Sequence, residues 1–183
     1  MSNQIFSSRL NKLRTVLSTQ GLDGILITNL TSIRYICGFT GSAASCLITQ
    51  DDSYFISDGR YDVQSREQVQ NMERYIDFGT HISIVTKNNL IQNGSNLAFE
   101  GDHTSVSQYR AMTDSFPKVG WKSTSMLIEN LQAVKDESEL DAIRTAVEIT
   151  DTIYAEILPM LKPGTTEKEV ANQMVLRYRQ ESD

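Results

Sequence analysis

Short apolar runs alternate along this chain with stretches whose apolar residues recur every three or four positions. A buried strand needs only about four to eight apolar residues, whereas a surface helix needs the longer period, so the alternation restricts the chain to an α/β architecture with helices on the faces of a mixed sheet. Gly24 to Thr28, Arg74 to Phe78, Asn96 to Glu100 and Val119 to Ser123 read as strands, and Ile33 to Ile36 as the start of a further one. Ser45 to Thr49 and Tyr54 to Ser57 flank the turn residues Gln50-Asp51-Asp52-Ser53 and predict a β-hairpin. Between these runs, Phe6, Leu10, Leu13 and Leu17 mark an amphipathic first helix that Gly21 stops. Asp58 can cap a helix from about Arg60 to Gln70. Thr80 to Gln92 and Thr104 to Phe116 read as helices closed by Asn93-Gly94 and by Pro117.

The pattern changes after about Leu131. Leu140, Ile143, Val147, Ile153, Ile157 and Leu161 mark one face of a long helix starting near Ser138 and broken by Pro159 or Pro163. The acidic run Asp136 to Asp141 suits the first turn of that helix, where carboxylates complement its dipole. Thr166 and Glu169 then form a capping-box pair for a final helix carrying Val170, Met174 and Tyr178. No strand follows. At about 1.5–3 kcal/mol per large apolar side chain, the six residues of the long helix would forfeit on the order of 10 kcal/mol without a partner surface. Residues 1–130 therefore read as one domain, while the helices of residues 131–183 either fold back on it, or pair between chains, or open a second domain that is incomplete here, with Ile128 to Asp136 as the linker candidate.

Composition narrows the function class. With 39% apolar and 22% charged residues the chain can build a packed core rather than remain disordered. A net charge of −6 and the lack of any basic cluster argue against nucleic acid as a partner. No segment approaches the roughly 20 apolar residues of a membrane span. Arg9, Lys12 and Arg14 interrupt what would otherwise be a leader's apolar stretch, which predicts a cytoplasmic protein. Cys37 and Cys46 lack CxxC spacing; their separation alone permits a disulfide, but the compartment argument reads both as free core thiols. His81 and His103 each stand without a second ligand type at helical or hairpin spacing, so no metal site is expected. No phosphate loop, nucleophile elbow or zincin helix occurs.

Three segments carry more specific information. Tyr35 to Ser42 contains a glycine-bracketed loop in which Gly38 and Gly41 permit tight turns and Thr40 and Ser42 offer hydroxyls. The loop is either a strand-to-strand turn with Phe39 plugged into the core or a surface that meets a ligand. Asp58-Gly59-Arg60-Tyr61 sits at a strand-to-helix junction, where an N-cap carboxylate and an arginine pair account for it structurally. Leu161 to Glu167 is the third segment.

Taken in order, these segments resemble landmarks of the Xaa-Pro peptidase family of aminopeptidase P, prolidase and creatinase, metallopeptidase family M24. The resemblance covers the whole chain. It implies the creatinase/prolidase N-terminal domain with an RNase-H-like topology, followed by the first helices of a pita-bread catalytic domain. It also implies a substrate-access loop at Phe39, Thr40, Gly41 and Ser42 that reaches a neighbouring subunit's active site, and a family motif, structural in role, at Asp58, Arg60 and Tyr61. Glu100-Gly101-Asp102-His103 resembles a further family stretch at a strand end, a candidate for a polar interaction. Gln132 stands where the family usually has arginine, whereas Lys135 is kept. Full-length members would hold two divalent metal ions, manganese or cobalt, on ligands that none of these residues match, so this chain is expected to be inactive, to pair as a homodimer through its N-terminal domain, and to meet peptide substrate only beside a complete catalytic domain. The alternative is a non-catalytic peptide- or protein-binding module of the same fold.

Overall fold

A computed structural model describes residues 2–181. The chain divides into two compact units, Met1–Ala133 and Val134–Asp183.

The first unit is built on a six-stranded sheet of order β4-β3-β2-β1-β5-β6. Its strands are β1 (Gly24–Ile27), β2 (Ser45–Thr49), β3 (Ser53–Ser57), β4 (Glu73–Ile76), β5 (Asn96–Glu100) and β6 (Gly120–Thr124). β2 pairs antiparallel with β1 and β3, and the other neighbours are parallel. The sheet is thus mixed, as expected. Alternation along each strand sends side chains to two faces. Ile25, Ile27, Cys46, Ile48, Phe55 and Ala98 enter one apolar cluster, and Leu26, Leu47, Ile56, Leu97 and Phe99 the other.

Helices α1 (Ser2–Thr19), α2 (Leu30–Cys37) and α6 (Leu127–Ala133) supply the first cluster, through Leu10, Leu13 and Leu17, then Ile33 and Ile36, then Leu127 and Ile128. Helices α4 (His81–Lys87) and α5 (Val106–Ser115) supply the second through Ile84, Val85 and Met112. Between β3 and β4 a 3-10 turn at Gly59–Tyr61 leads into α3 (Asp62–Gln68). Cys37 and Cys46 are free and buried side by side. The Cys37 thiol donates to the Ile33 carbonyl at 3.2 Å. A hydrogen bond with Cys37 and full burial push the Cys46 thiol well above its ordinary pKa, which leaves it a poor nucleophile.

Two expectations are corrected. Ile33 to Ile36 is not a strand but part of α2. Asn29 caps this helix by accepting from the Thr31 amide at 3.0 Å, Ile33, Ile36 and Cys37 are buried at helical spacing, and Gly38 ends it in the left-handed region at φ 82°. A four-residue apolar run fits a buried strand or one helix face equally, and here the caps decide. The segment from Ile128, read as a linker, instead begins inside α6, because Leu127 and Ile128 find a buried place in the first cluster.

In the second unit α7 (Glu137–Ile157) opens on a complete capping box, with the Asp136 carboxylate accepting from the Glu139 amide and the Glu139 carboxylate from the Asp136 amide. α8 (Glu167–Glu181) begins at Thr166, whose hydroxyl accepts from the Glu169 amide at 3.3 Å. Arg177 holds α8 to α7 through both oxygens of Glu156. Of the six apolar residues expected on one long helix, Ile153 and Ile157 in α7 are buried, while Ile143 and Val147 in α7 and Leu161 beyond its end remain about half exposed, at 47%, 51% and 56%. Among the described residues no helix is long and apolar enough to cross a membrane.

Candidate functional site

The antiparallel pairing of β2 with β3 places the residues before β2 beside those after β3. Both motif segments therefore meet at one edge of the sheet, where β1, β3 and β5 present their carboxyl ends. Ligands of open α/β sheets settle outside such an edge.

Phe39 is the anchor of the loop, 1% exposed and packed edge-on against Phe55 and Tyr61 at centroid distances of 4.8 and 5.4 Å. Thr40, Gly41 and Ser42 form the rim above it. The Thr40 amide donates to Gln68 Oε1 at 2.9 Å, and Gln64 Nε2 donates to the Thr40 hydroxyl at 3.0 Å. Gly41 is required by space, since a Cβ there would fall 2.3 Å from Phe39 Cζ and 2.7 Å from Tyr61 Cε1. The Ser42 hydroxyl lies 2.6 Å from the Tyr61 hydroxyl, and the Ser42 amide donates to the same oxygen at 3.3 Å. These two bonds hold the Tyr61 phenol below its usual pKa.

Asp58 caps the 3-10 turn by accepting from the Arg60 amide at 3.0 Å. Its oxygens also receive Nε and Nη2 of Arg60 at 2.9 and 2.8 Å. That fork brings the carboxyl pKa down to about 2. Asp58 and Arg60 fix the turn, and the turn aims Tyr61 at the loop.

The structure adds two groups to this edge, His81, which the sequence left unassigned, and Glu100, whose stretch the resemblance marked as a candidate for a polar interaction. Glu100, at the end of β5 and 6% exposed, accepts the Thr28 and Asn29 amides on Oε2 at 2.8 and 2.9 Å. It thereby fixes the turn from β1 into α2, while its Oε1 has no hydrogen-bond partner. Nothing local announces this contact across 72 residues, although the strand-end position of Glu100 was already suggestive. His81, at the start of α4, shares a 2.8 Å hydrogen bond between Nδ1 and Ser45 Oγ. Burial lowers its pKa, opposed by the charge of Asp58. Its polar partner comes from another element and could not be read from spacing. The His103 amide donates to the Glu100 carbonyl at 3.1 Å, and its ring Nε2 lies 3.5 Å from Glu129.

His81 gives the edge a defined pH response. Because its folded pKa lies below the ordinary value of about 6.5, the unfolded chain takes up the proton first. The contribution of neutral His81 to stability is complete above that value and is lost as the pH falls below it toward the folded pKa. Denaturant unfolding between about pH 7 and pH 5 should therefore show a steeper acid loss for the natural protein than for His81→Gln. Equal slopes would place the protonation elsewhere.

Behind the loop, between α4 and α5, lies a cleft of about 470 Å³ lined by Leu26, Ala44, Ser45, His81, Val85 and Met112 among others. No Asp, Glu, Lys or Arg lines it. Among the described residues no group of three or more His, Cys, Asp or Glu is placed to hold a metal ion. A dinuclear metal centre does not fit the residues present, and none of its chemistry can be assigned to them.

The chain is similar to known proteins. The chain is 32% identical over 172 residues to the uncharacterised peptidase YqhT of Bacillus subtilis, covering 93% of this chain and 48% of that protein. Among solved structures, an Xaa-Pro dipeptidase from Bacillus anthracis superimposes with a TM-score of 0.86 at 33% identity, covering 96% of this chain and 49% of that one. The N-terminal domain of the cytoplasmic peptidase PepQ from Mycobacterium tuberculosis H37Rv gives a TM-score of 0.62 at 27% identity, over 68% of this chain and 98% of that domain. The chain spans about half the length of the curated relatives it matches. Residues 9–134 match the Creatinase/Prolidase N-terminal domain family, and with the six-stranded mixed sheet and the paired loop and Asp58-Gly59-Arg60-Tyr61 motifs at its edge, the chain belongs to that family.

Proposed function

We propose that this chain is the N-terminal portion of an Xaa-Pro aminopeptidase or dipeptidase of the cytoplasm, supplying substrate-access and dimerisation surfaces and carrying no catalytic centre of its own. One observation carries the reading: Thr40, Gly41 and Ser42 are held as an ordered rim by Tyr61, Gln64 and Gln68 over the buried Phe39. A rim fixed from below costs little entropy when it meets a ligand. A complete enzyme is expected to hold two divalent metal ions, manganese or cobalt, on residues that this chain does not supply, and this edge would meet the peptide beside them. Residues 134–183 would be the opening helices of that catalytic domain, which accounts for the half-exposed apolar residues of α7.

Purified chain assayed with Xaa-Pro dipeptides and added Mn²⁺ or Co²⁺ should show no turnover above a blank, and calorimetry should show no tight Mn²⁺ binding. Metal-dependent turnover that a chelator abolishes would overturn the assignment. The alternative, a non-catalytic peptide- or protein-binding module of the same fold, draws support from the uncharged cleft beside the rim, which could take a ligand without any chemistry.

A further inference from the structure

We propose that the cleft between α4 and α5 is a subsite for an uncharged, apolar peptide side chain, with the imidazole of His81 as its polar floor. The proposal rests on the reading that the neighbouring rim meets peptide, because Ser42 belongs to both features.

Three observations select the occupant. The volume of about 470 Å³ falls within the range of small-ligand sites, roughly 300–1,000 Å³, and is far below what a folded partner requires. Leu30, Ile82 and Ala111 wall the cleft over the buried Leu26, Val85 and Met112, and no charged side chain lines it in a protein whose net charge is −6. The cleft at the opposite end of the sheet, lined by Asp23, Asp51 and Asp52, has the contrary character. A cationic or anionic side chain entering the uncharged cleft would shed its hydration without a counter-charge, whereas an aliphatic or aromatic one sheds only unfavourable contact with water.

His81 adds direction. Its Nδ1 is committed to Ser45, and the ring lines the cleft, so Nε2 is the nitrogen left to meet a carbonyl or amide of the bound peptide. The groups facing His81 are the Ser45 hydroxyl and, at longer range, the Asp58 carboxylate, whose own oxygens are engaged by Arg60. Burial keeps the ring neutral near pH 7. Protonation in mild acid would place a charge beside the apolar walls and weaken the fit.

The test uses the full 183-residue chain, labelled at methionine methyls and histidine, titrated with N-acetyl-leucinamide and with N-acetyl-lysinamide. The leucine amide is expected to give saturable shifts at Met112 and His81, and the lysine amide to bind at least about tenfold more weakly, or about 1.4 kcal/mol. Ala111→Trp or Ser107→Trp, both at exposed positions of α5 on the cleft, should abolish the shifts while leaving the rest of the spectrum unchanged. Absence of any shift at Met112 up to the solubility limit, or equal response to both amides, would overturn the proposal. Shifts at Met112 that depend on protein concentration alone would also overturn it and assign the cleft to a second copy of the chain. Loss of kcat/KM on Ser42→Ala in a full-length relative, with no binding here, would sink the cleft while leaving the rim's role standing.

Discussion

Phe39→Ala lowers the unfolding free energy of the first unit by about 3–5 kcal/mol, the range for truncating a fully buried aromatic. The side chain is 1% exposed, and its ring meets two others edge-on, an arrangement worth more than its buried area alone. The loss also propagates. Tyr61 leans on the Phe39 ring and in turn holds Ser42, so the rim should loosen even in the folded fraction. Denaturant titration gives the first effect and amide exchange at Thr40 to Ser42 the second. A change of less than about 1 kcal/mol would mean that the loop refills the space and that Phe39 is no anchor.

Glu100→Leu is the other large effect. It leaves the Thr28 and Asn29 amides without their acceptor, at about 1–3 kcal/mol for each buried unsatisfied group, so a loss of roughly 3 kcal/mol is expected. Glu100→Gln keeps a carbonyl oxygen for both amides and removes a buried charge, one of whose oxygens has no partner. Its loss should be distinctly smaller. If leucine and glutamine cost the same, Glu100 merely fills space, and the turn from β1 into α2 must be fixed by Asn29 and its cap alone.

Much of this architecture was legible in the residues. The runs at Gly24, Ser45, Tyr54 and Asn96 became strands because each is apolar on both faces and the sheet is covered on both. The Asp136 and Thr166 caps marked their helices because capping chemistry is local. Ile33 to Ile36 failed because the informative residues were not in the run. Asn29 and Gly38, its two flanking caps, carried the signal, and Gly38 reads equally well as a turn glycine of the following loop. Of the site, the Asp58 cap was readable, and the meeting of Ser42 with Tyr61 could have been derived from the hairpin, whose fixed register sets its two outer ends side by side. His81 had no such local mark, and Glu100 had only the resemblance of its strand-end stretch. Their partners arrive through crossovers of 36 and 72 residues, and only the completed sheet brings them together.

The two margins of the sheet constrain how copies of this protein can associate. β4 at one side has four residues and carries Glu73 and Arg74, and β6 at the other has five and carries Lys122. Short, charged, partly wetted edges of this kind resist the backbone-to-backbone zipping that seeds fibrils and strand-exchanged oligomers. A second copy finds no long apolar strand to extend, so an ordered assembly has to be made by helices and loops, whose side chains can tell one partner from another.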